Sequence, residues 1–187
     1  MPKIIDGIEE KIYNAAYELF SKKGYESVNM KMVANKTDIA VGTLYNYHKN
    51  KKSLYLSVLE NSWQETLHKL DKIIEDKENG DKLENLVNEL YTEISARKGI
   101  AQELIKASEL KEIKKKVINK LKYKLLIRIE EALECHKDYK NAEVDQETKK
   151  RLVKLIFIEI IAMNNEFHDD KQKNIEFIMN SVNSILS

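Results

Sequence analysis

An all-α fold is predicted by three features of the sequence: few helix-breaking residues, a helix-forming composition, and apolar residues that recur at helical spacing. Five glycines and one proline occur among 187 residues, and 42% of the residues are hydrophobic. Sheet proteins of this length need many Gly, Pro and Asn turns, whereas this chain is rich in Leu, Ile, Lys, Glu and Ala. We therefore expect about nine helices, arranged as a three-helix N-terminal domain followed by a larger helical bundle.

The first predicted helix begins near the N-terminus and ends at a glycine. Asp6 followed by Glu9 resembles a capping box, and apolar residues then recur every three or four positions. Gly24 can adopt the left-handed conformation that ends a helix. A second, short helix is predicted from Asn29, because asparagine is a good N-cap, to about Lys36.

A tight turn and a third helix complete the predicted N-terminal domain. Asp38 lies where the turn needs a positive φ, and aspartate is one of the few non-glycine residues that tolerate it. The third helix is predicted from Val41 to Tyr47. Asn50 can cap a long fourth helix, which carries apolar residues at helical spacing as far as about Asp76.

The rest of the chain is predicted to be mostly helical, with two polar interruptions. The predicted segments are a turn at 79–81, a helix ending near 98–99, a short and then a long helix over 100–136, a loop over 137–145, and helices at 146–168 and 171–186. This pattern predicts a domain boundary between residues 50 and 51, with domains of residues 1–50 and 51–187.

Composition excludes several classes of protein. The single cysteine, Cys135, cannot form an intramolecular disulfide, and the first 20 residues lack the apolar run of a signal peptide. The most apolar segment, 152–163, is interrupted by Lys154 and Glu159 and is too short to span a bilayer. We therefore expect a cytoplasmic protein that does not associate with a membrane.

Charge is distributed unevenly although the net charge of the chain is only +1. Seven lysines lie between Lys22 and Lys52, against Glu26 and Asp38, which gives this stretch of 31 residues a net charge of +5. A local basic patch of this kind favours binding to nucleic acid.

The most specific motif in the sequence lies inside this basic stretch. It reads Gly42-Thr43-Leu44-Tyr45-x-Tyr47 with Lys51 following, and it is preceded by Ala15-Ala16-x-x-Leu19-Phe20-x-x-x-Gly24-Tyr25. These residues resemble the DNA-binding motif of the TetR/AcrR family of bacterial transcriptional regulators over about the first 60 residues. The resemblance implies that the family's DNA-contacting positions are filled here by Lys31, Val41, Gly42, Thr43, Tyr45, Asn46, Tyr47 and Lys51.

Elementary chemistry supports the same role for this segment. Ala40, Val41 and Gly42 have little bulk, so the third helix could approach base edges and phosphates in the major groove. Lys51 and Lys52 oppose the dipole at the start of the fourth helix unless an anion binds there, and a DNA phosphate is such an anion. Where the family usually has a Ser or Thr cap and a Phe, this chain has Ala40 and His48; we interpret His48 as a packing residue.

The last two predicted helices are candidates for a dimer interface. The penultimate helix is apolar nearly all round, so it must be covered on two faces. The last helix has one apolar stripe, made of Ile175, Ile178, Met179, Val182, Ile185 and Leu186. The resemblance implies that both helices pair with those of a second copy to form a homodimer, which would read a palindromic DNA operator. The alternative is that both helices fill a monomeric core.

The resemblance also implies a cavity in the larger domain that binds a small-molecule effector. Candidate lining residues on the surrounding helices are Trp63, Leu67, Tyr91, Leu104, Tyr123, Ile127, Phe157 and Asn164. Ordinary core packing explains each of them at least as well. If an effector binds, movement of the long fourth helix would change the separation of the two DNA-reading heads.

Catalysis, a cofactor and a metal site are not expected. The sequence has no Gly-rich phosphate loop, His-Glu-x-x-His motif or Ser-centred nucleophile motif. The clusters ending at His136 and Asp170 lack a second spaced pair of ligands, so they are interpreted as solvated helix ends.

The leading hypothesis is an effector-released repressor. The alternatives are a regulator that activates or has lost its effector, a helical binding or scaffold protein with a vestigial DNA motif, and a small helical enzyme.

Overall fold

The computed structural model describes residues 7–78, 80–97 and 112–187, and every regular element in these ranges is a helix. In chain order the helices are α1 (Ile8–Ser27), α2 (Met30–Thr37), α3 (Val41–Tyr47), α4 (Lys51–Glu75), α5 (Lys82–Ala96), α6 (Glu112–Cys135), α7 (Lys137–Asn141), α8 (Gln146–Glu166) and α9 (Lys171–Leu186). The all-α prediction is confirmed. Within the described ranges, no helix combines the length and apolar content needed to cross a membrane. The short helix predicted just after residue 100 lies outside them.

Two glycines with positive φ shape α1. The N-cap is Gly7, with φ 73°, one residue later than the predicted cap Asp6, which lies outside the described residues. Gly24 has φ 73° and ψ 170°, and it interrupts the helical geometry three residues before Ser27. A side chain at this φ and ψ would be strained, so glycine is required at the predicted end of the regular helix.

The turn between α2 and α3 forms as the sequence predicts. The Asn29 side chain caps α2 by accepting a hydrogen bond from the Met32 amide at 3.0 Å. Asp38 takes the left-handed conformation, with φ 54° and ψ 44°. The Ile39 amide then donates to the carbonyl of Ala34 at 3.0 Å, which closes the turn. The helix α3 follows within three residues of this left-handed residue.

A reciprocal cap begins α4, as predicted from Asn50. The Ser53 amide donates to Asn50 Oδ1 at 2.8 Å, and the Asn50 amide donates to Ser53 Oγ at 3.3 Å. These bonds satisfy amide groups that would otherwise have no partner at the start of the helix.

The described residues divide into two compact units. The first unit contains residues 7–63, Arg97 and 112–119, and the second contains residues 64–78, 80–96 and 120–187. Helices α4 and α6 each contribute residues to both units. The domain boundary predicted between residues 50 and 51 falls at the start of α4, and it remains a prediction about function.

The first unit has a core formed largely by α1, α2, α3 and the first part of α4. Helix α1 packs against α2, and α2 packs against α3. The fully buried side chains include Ile12, Ala16, Phe20, Val33, Leu44, Leu54, Tyr55 and Trp63. Since α3 contributes only Leu44 to this list, one anchor residue holds the helix to the unit.

The second unit is built around the mutual packing of α5, α8 and α9. Of the apolar stripe predicted on α9, Ile175, Ile178, Met179, Val182 and Leu186 are buried within the unit itself, whereas Ile185 is 49% exposed. Ile156, Phe157 and Ile160 of α8 are likewise buried. Most of the apolar surface that the sequence offered for dimer contacts is therefore used inside one chain.

Buried charged groups in the second unit are paired across neighbouring helices. Glu93 on α5 is only 8% exposed. Its carboxylate accepts hydrogen bonds from two residues of α4, Thr66 Oγ1 at 2.7 Å and Lys69 Nζ at 2.6 Å. On α8, Lys149 Nζ lies 2.7 Å from a carboxylate oxygen of Glu130 and 2.8 Å from one of Glu134, both on α6. Breaking either arrangement would leave a buried charge unpaired, so these contacts fix how the helices align.

The prediction of a loop over residues 137–145 is wrong for Lys137–Asn141, which form α7. The preceding residue, His136, is 3% exposed. Its Nδ1 lies 2.9 Å from an oxygen of Asp81, and its Nε2 lies 2.9 Å from Oδ1 of Asn183 on α9. This long-range anchoring orders a polar segment whose sequence shows no helical periodicity.

Candidate nucleic-acid interface

Helix α3 presents most of its side chains to the outside. Among the residues of α3, Tyr45 is 47% exposed, Tyr47 is 36% exposed, and Gly42 and Asn46 are also exposed. Val41 and Thr43 are half-buried, and Leu44 is fully buried. The structure therefore brings together on one short helix six of the eight residues predicted to contact DNA. Lys31, a seventh, is exposed one residue into α2.

Gly42 lies in open surroundings, and the fold gives no reason for a glycine there. A Cβ atom built at this position would meet no atom within 4 Å, and its φ lies outside the left-handed region. A glycine in a helix costs about 1 kcal/mol relative to alanine. Its presence is explained if another molecule approaches the backbone of α3 closely.

The start of α3 has no side-chain cap, as the presence of Ala40 predicts. Ala40 is the N-cap, and its side chain makes no capping hydrogen bond. The amides of Thr43 and Leu44 donate to its carbonyl oxygen at 2.9 Å and 3.2 Å. Small side chains thus begin the helix, at the cost of a cap that is worth about 1 kcal/mol elsewhere.

Lys51 has a structural role that the sequence analysis did not identify. Its Nζ atom donates to the carbonyl oxygens of Tyr25 at 2.8 Å and Glu26 at 3.3 Å, and it lies 4.3 Å from the centroid of the Tyr25 ring. These carbonyls belong to the C-terminal end of α1, where the helix dipole favours a cation. The ammonium that opposes the dipole of α4 is therefore stabilised within the chain, and phosphate binding by Lys51 remains a prediction.

An aromatic cluster fastens the beginning of α4 to the end of α1. The ring of Tyr55 contacts Phe20 and Tyr25 edge to face, with centroid separations of 5.0 Å and 4.8 Å. Together with the Lys51 contacts, these rings connect α4 to the residues on both sides of the kink at Gly24. The sequence analysis did not identify this cluster, because its contacts join residues at least 30 positions apart and no local pattern indicates them.

The basic patch is partly neutralised inside the unit. Glu18 Oε1 lies 3.0 Å from Lys22 Nζ, and its Oε2 lies 2.9 Å from Lys36 Nζ. The hydrogen bond to Lys36, followed by that to Lys22, lowers the pKa of the Glu18 carboxyl below its ordinary value. The local charge available to an anion is therefore smaller than the count of lysines predicts.

His48, at the end of α3, is half-buried, in agreement with its interpretation as a packing residue. Burial lowers the pKa of its imidazole from the ordinary value, while the nearby Glu9 carboxylate acts in the opposite direction. The ring is thus biased towards its neutral form, which suits a contact inside the unit.

The residues predicted to line an effector cavity occupy varied environments. Leu67, Tyr91, Phe157 and Asn164 are buried in the second unit, and Trp63 is fully buried in the first unit, where the Arg97 guanidinium lies 4.9 Å from its ring centroid. Ile127 is half-buried. Leu104 lies outside the described residues.

Tyr123 is 65% exposed. The buried residues of α6 include Leu121 and Leu125, and a residue midway between two such positions points to the other side of the helix. Its position is therefore on the solvent side of α6.

Two of the buried candidates have incomplete hydrogen bonding: Trp63, whose Nε1 has no hydrogen-bond partner among the described residues, and Asn164. Its Nδ2 donates to the carbonyl oxygen of Tyr91 at 3.2 Å and to Oγ of Ser95. Its Oδ1 is buried and has no hydrogen-bond partner among the described residues. A buried acceptor without a donor costs about 1–3 kcal/mol, so a donor supplied from outside would be stabilised there.

These features define a helix-turn-helix protein with a larger all-helical part, and comparison with known proteins supports this class. Residues 12–58 match the family described as bacterial regulatory proteins, tetR family. The HTH-type transcriptional repressor KstR of Mycolicibacterium smegmatis is 40% identical over 63 residues, which are 34% of this chain and 31% of that protein. The HTH-type transcriptional regulator QacR of Staphylococcus aureus is 29% identical over 118 residues, which are 53% of this chain and 62% of that protein.

The fold comparison covers nearly the whole chain. The transcriptional regulator FadR of Bacillus subtilis, solved in complex with stearoyl-CoA, superimposes with a TM-score of 0.70 and 20% sequence identity. The superposition covers 95% of this chain and 97% of that one. By contrast, the sequence match spans less than a third of the length of the KstR repressors.

The sequence similarity to the tetR family is therefore carried by residues 12–58, and the likeness to the solved structures extends to the fold of nearly the whole chain.

Proposed function

We propose that this chain is a sequence-specific DNA-binding repressor that acts as a homodimer on a palindromic operator. The observation that carries DNA binding is the exposed face of α3, with Gly42, Tyr45, Asn46 and Tyr47 on a helix held by the single buried residue Leu44. Such a helix fits the major groove, where Asn46 is suited to bond base edges and the tyrosine hydroxyls to bond phosphates. These residues lie within the segment 12–58 that matches the tetR family, and KstR, one of the similar proteins, is a transcriptional repressor.

Binding to duplex DNA is tested by titrating the full chain against the DNA that flanks its own gene. Affinity should fall steeply as salt rises from about 50 to about 200 mM, because bound lysines displace counterions from phosphates. Asn46→Ala should change the sequence preference. Asn88→Ala, an exposed asparagine on α5, is the matched control and should bind as the unaltered chain does. A lack of salt-sensitive affinity for any duplex would contradict the proposal.

The proposed dimer uses the apolar residues of α8 and α9 that remain outside the core. Ile158 is 59% exposed on α8, and Phe177 and Ile185 are 54% and 49% exposed on α9. Large apolar side chains exposed on two helices that pack against each other are typical of an interface. Two copies related by a two-fold axis would present two α3 helices to successive major grooves.

The dimer is tested by sedimentation of variants at micromolar concentration. Phe177→Glu should shift the protein to monomer, because a charge would be buried in the interface. Tyr123→Glu changes an aromatic residue of similar exposure on α6 and should leave the dimer intact. A dimer that survives Phe177→Glu would locate the interface elsewhere.

We further propose that the second unit binds a small-molecule effector that releases the chain from DNA. The buried and unsatisfied Oδ1 of Asn164 supports a ligand with a hydrogen-bond donor. Since the FadR structure contains stearoyl-CoA, this acyl thioester is the first effector to test, with free coenzyme A as its control. Stearoyl-CoA should raise the melting temperature and lower DNA affinity, and Asn164→Ala should weaken both effects. Unchanged DNA binding would exclude long-chain acyl-CoA as the effector.

A further inference from the structure

A pocket lies in the first unit, and none of the residues assigned to the effector lines it. It has a volume of about 260 Å³ and is formed by α1, the end of α3, and α4. Its polar lining residues are Glu9, Tyr13, Tyr47, His48, Ser57 and Asn61, and two apolar residues of α4 complete it. Pockets for drug-sized ligands begin at about 300 Å³, so this pocket suits a somewhat smaller molecule.

The electrostatic character of this pocket is negative. Glu9 is the charged lining residue at neutral pH, and none of the described residues that line the pocket is Lys or Arg. Burial lowers the pKa of the His48 imidazole and so disfavours a positive charge there, while the Glu9 carboxylate acts in the opposite direction. A carboxylate that lines a pocket attracts cations and disfavours anions.

Aromatic rings strengthen the preference for a cation. Tyr13 and Tyr47 line the pocket from α1 and α3, and the face of a tyrosine ring attracts ammonium groups. Tyr13 stacks on Tyr17, with ring centroids 6.0 Å apart, and this contact restricts the freedom of its side chain. Ser57 and Asn61 add neutral oxygen atoms that can accept hydrogen bonds from an amine.

We propose that this pocket binds a small organic cation, a protonated or quaternary amine that carries an aromatic or short alkyl group. The carboxylate of Glu9 supplies the opposite charge, and the two tyrosine rings supply surfaces for the cationic head. The inference concerns binding within the first unit and does not depend on the proposed DNA-binding function.

The test is calorimetric titration of the full chain with benzyltrimethylammonium, and with benzyl alcohol as a neutral probe. The cation should bind about tenfold more tightly than the alcohol, because only the cation gains from the carboxylate and the ring faces. Glu9→Gln should remove most of this difference. Glu10→Gln changes the neighbouring exposed glutamate, which does not line the pocket, and should bind like the unaltered chain.

A second variant tests whether Glu9→Gln acts through the pocket itself and not through an indirect effect of the lost charge. Ser57→Phe fills the pocket with a ring while retaining Glu9, and it should also abolish binding of the cation. Thermal melts establish that each variant is folded. The proposal is overturned if both probes bind equally, if neither binds, or if Glu9→Gln and Ser57→Phe bind the cation as the unaltered chain does.

Discussion

Helices α3 and α8 use their polar residues in opposite ways. Of the seven residues in α3, only Leu44 is buried, and the polar and aromatic side chains face outward. Of the 21 residues in α8, eight are buried, and they include Lys149 and Asn164. The buried Lys149 is paired with two carboxylates, whereas the exposed Tyr45 and Asn46 contribute nothing evident to the core.

This difference separates residues kept for folding from residues available to another molecule. A buried charge without its partners is costly, so Lys149 constrains how α8 and α6 align. Exposed residues such as Asn46 have little effect on stability, and their chemistry is therefore free to serve recognition. The contrast can be tested by substitutions that separate stability from binding.

The largest expected effect comes from truncating the core of α8. Ile156→Ala should destabilise the second unit by about 2–5 kcal/mol, because Ile156 is fully buried and a cavity would remain. Chemical denaturation measures this change. Ile158→Ala makes the same chemical change two residues away at a 59% exposed position, and it should weaken dimerisation instead. Equal losses of stability would remove the distinction between the two faces.

A substitution at Gly42 should affect binding without harming the fold. Gly42→Leu adds a side chain where the chain leaves open space, so the melting temperature should be unchanged or slightly higher. Operator affinity should fall by about tenfold to a hundredfold if α3 lies in the groove. Gly80→Leu is the control at another open glycine. Full affinity in the Gly42 variant would argue against close approach of DNA.

Lys51 and Lys52 should differ in role, although the sequence predicts phosphate binding by both. Lys51 should act mainly on stability and Lys52 on binding to phosphate. Lys51→Met removes two hydrogen bonds to α1 carbonyls and a contact with the Tyr25 ring, so the free energy of unfolding should fall by about 1–2 kcal/mol. Lys52→Met should leave stability nearly unchanged but reduce the salt dependence of DNA binding by about one phosphate contact. The reverse result would make Lys51 the phosphate ligand and Lys52 the structural residue.

The smallest expected effect concerns Glu159 on α8 and depends on pH. Burial raises the pKa of its carboxyl above the ordinary value, although a hydrogen bond with Ser181 acts in the opposite direction, and its Oε2 has no hydrogen-bond partner among the described residues. The ionised form is therefore disfavoured in the folded state, and protonation relieves the cost as pH falls through the raised pKa. Glu159→Gln should stabilise the protein at pH 7 by less than about 1 kcal/mol.

The stabilisation by Glu159→Gln should disappear in acid. Below its ordinary pKa, the Glu159 carboxyl is protonated in both the folded and the unfolded state, so its burial no longer carries a charge penalty. Melts of Glu159→Gln and the unaltered chain between pH 7 and pH 4 measure the difference. Glu166→Gln, at an exposed position on the same helix, should show no such trend. A gain that persists at acid pH would show that the amide acts through a new hydrogen bond.

Residue type and spacing alone were sufficient to predict most of the helices and the turn that positions α3. The cap at Asn29, the left-handed residue Asp38 and the cap at Asn50 were all predicted, and each acts through bonds to residues within about four positions. Such local interactions depend on residue type and spacing, which a sequence displays directly. The recognition motif is equally local, since it occupies one short helix and its flanks.

Which faces of the helices are covered depends on the packing of distant parts of the chain. The apolar stripe of α9 packs mainly inside the chain, and Tyr123 is exposed. Lys51 binds carbonyl oxygens at the end of α1, and His136, which precedes α7, contacts Asn183. These outcomes join residues tens of positions apart along the chain. Helical periodicity shows that a face is apolar, but the partner of that face depends on how distant helices pack, which no local pattern specifies.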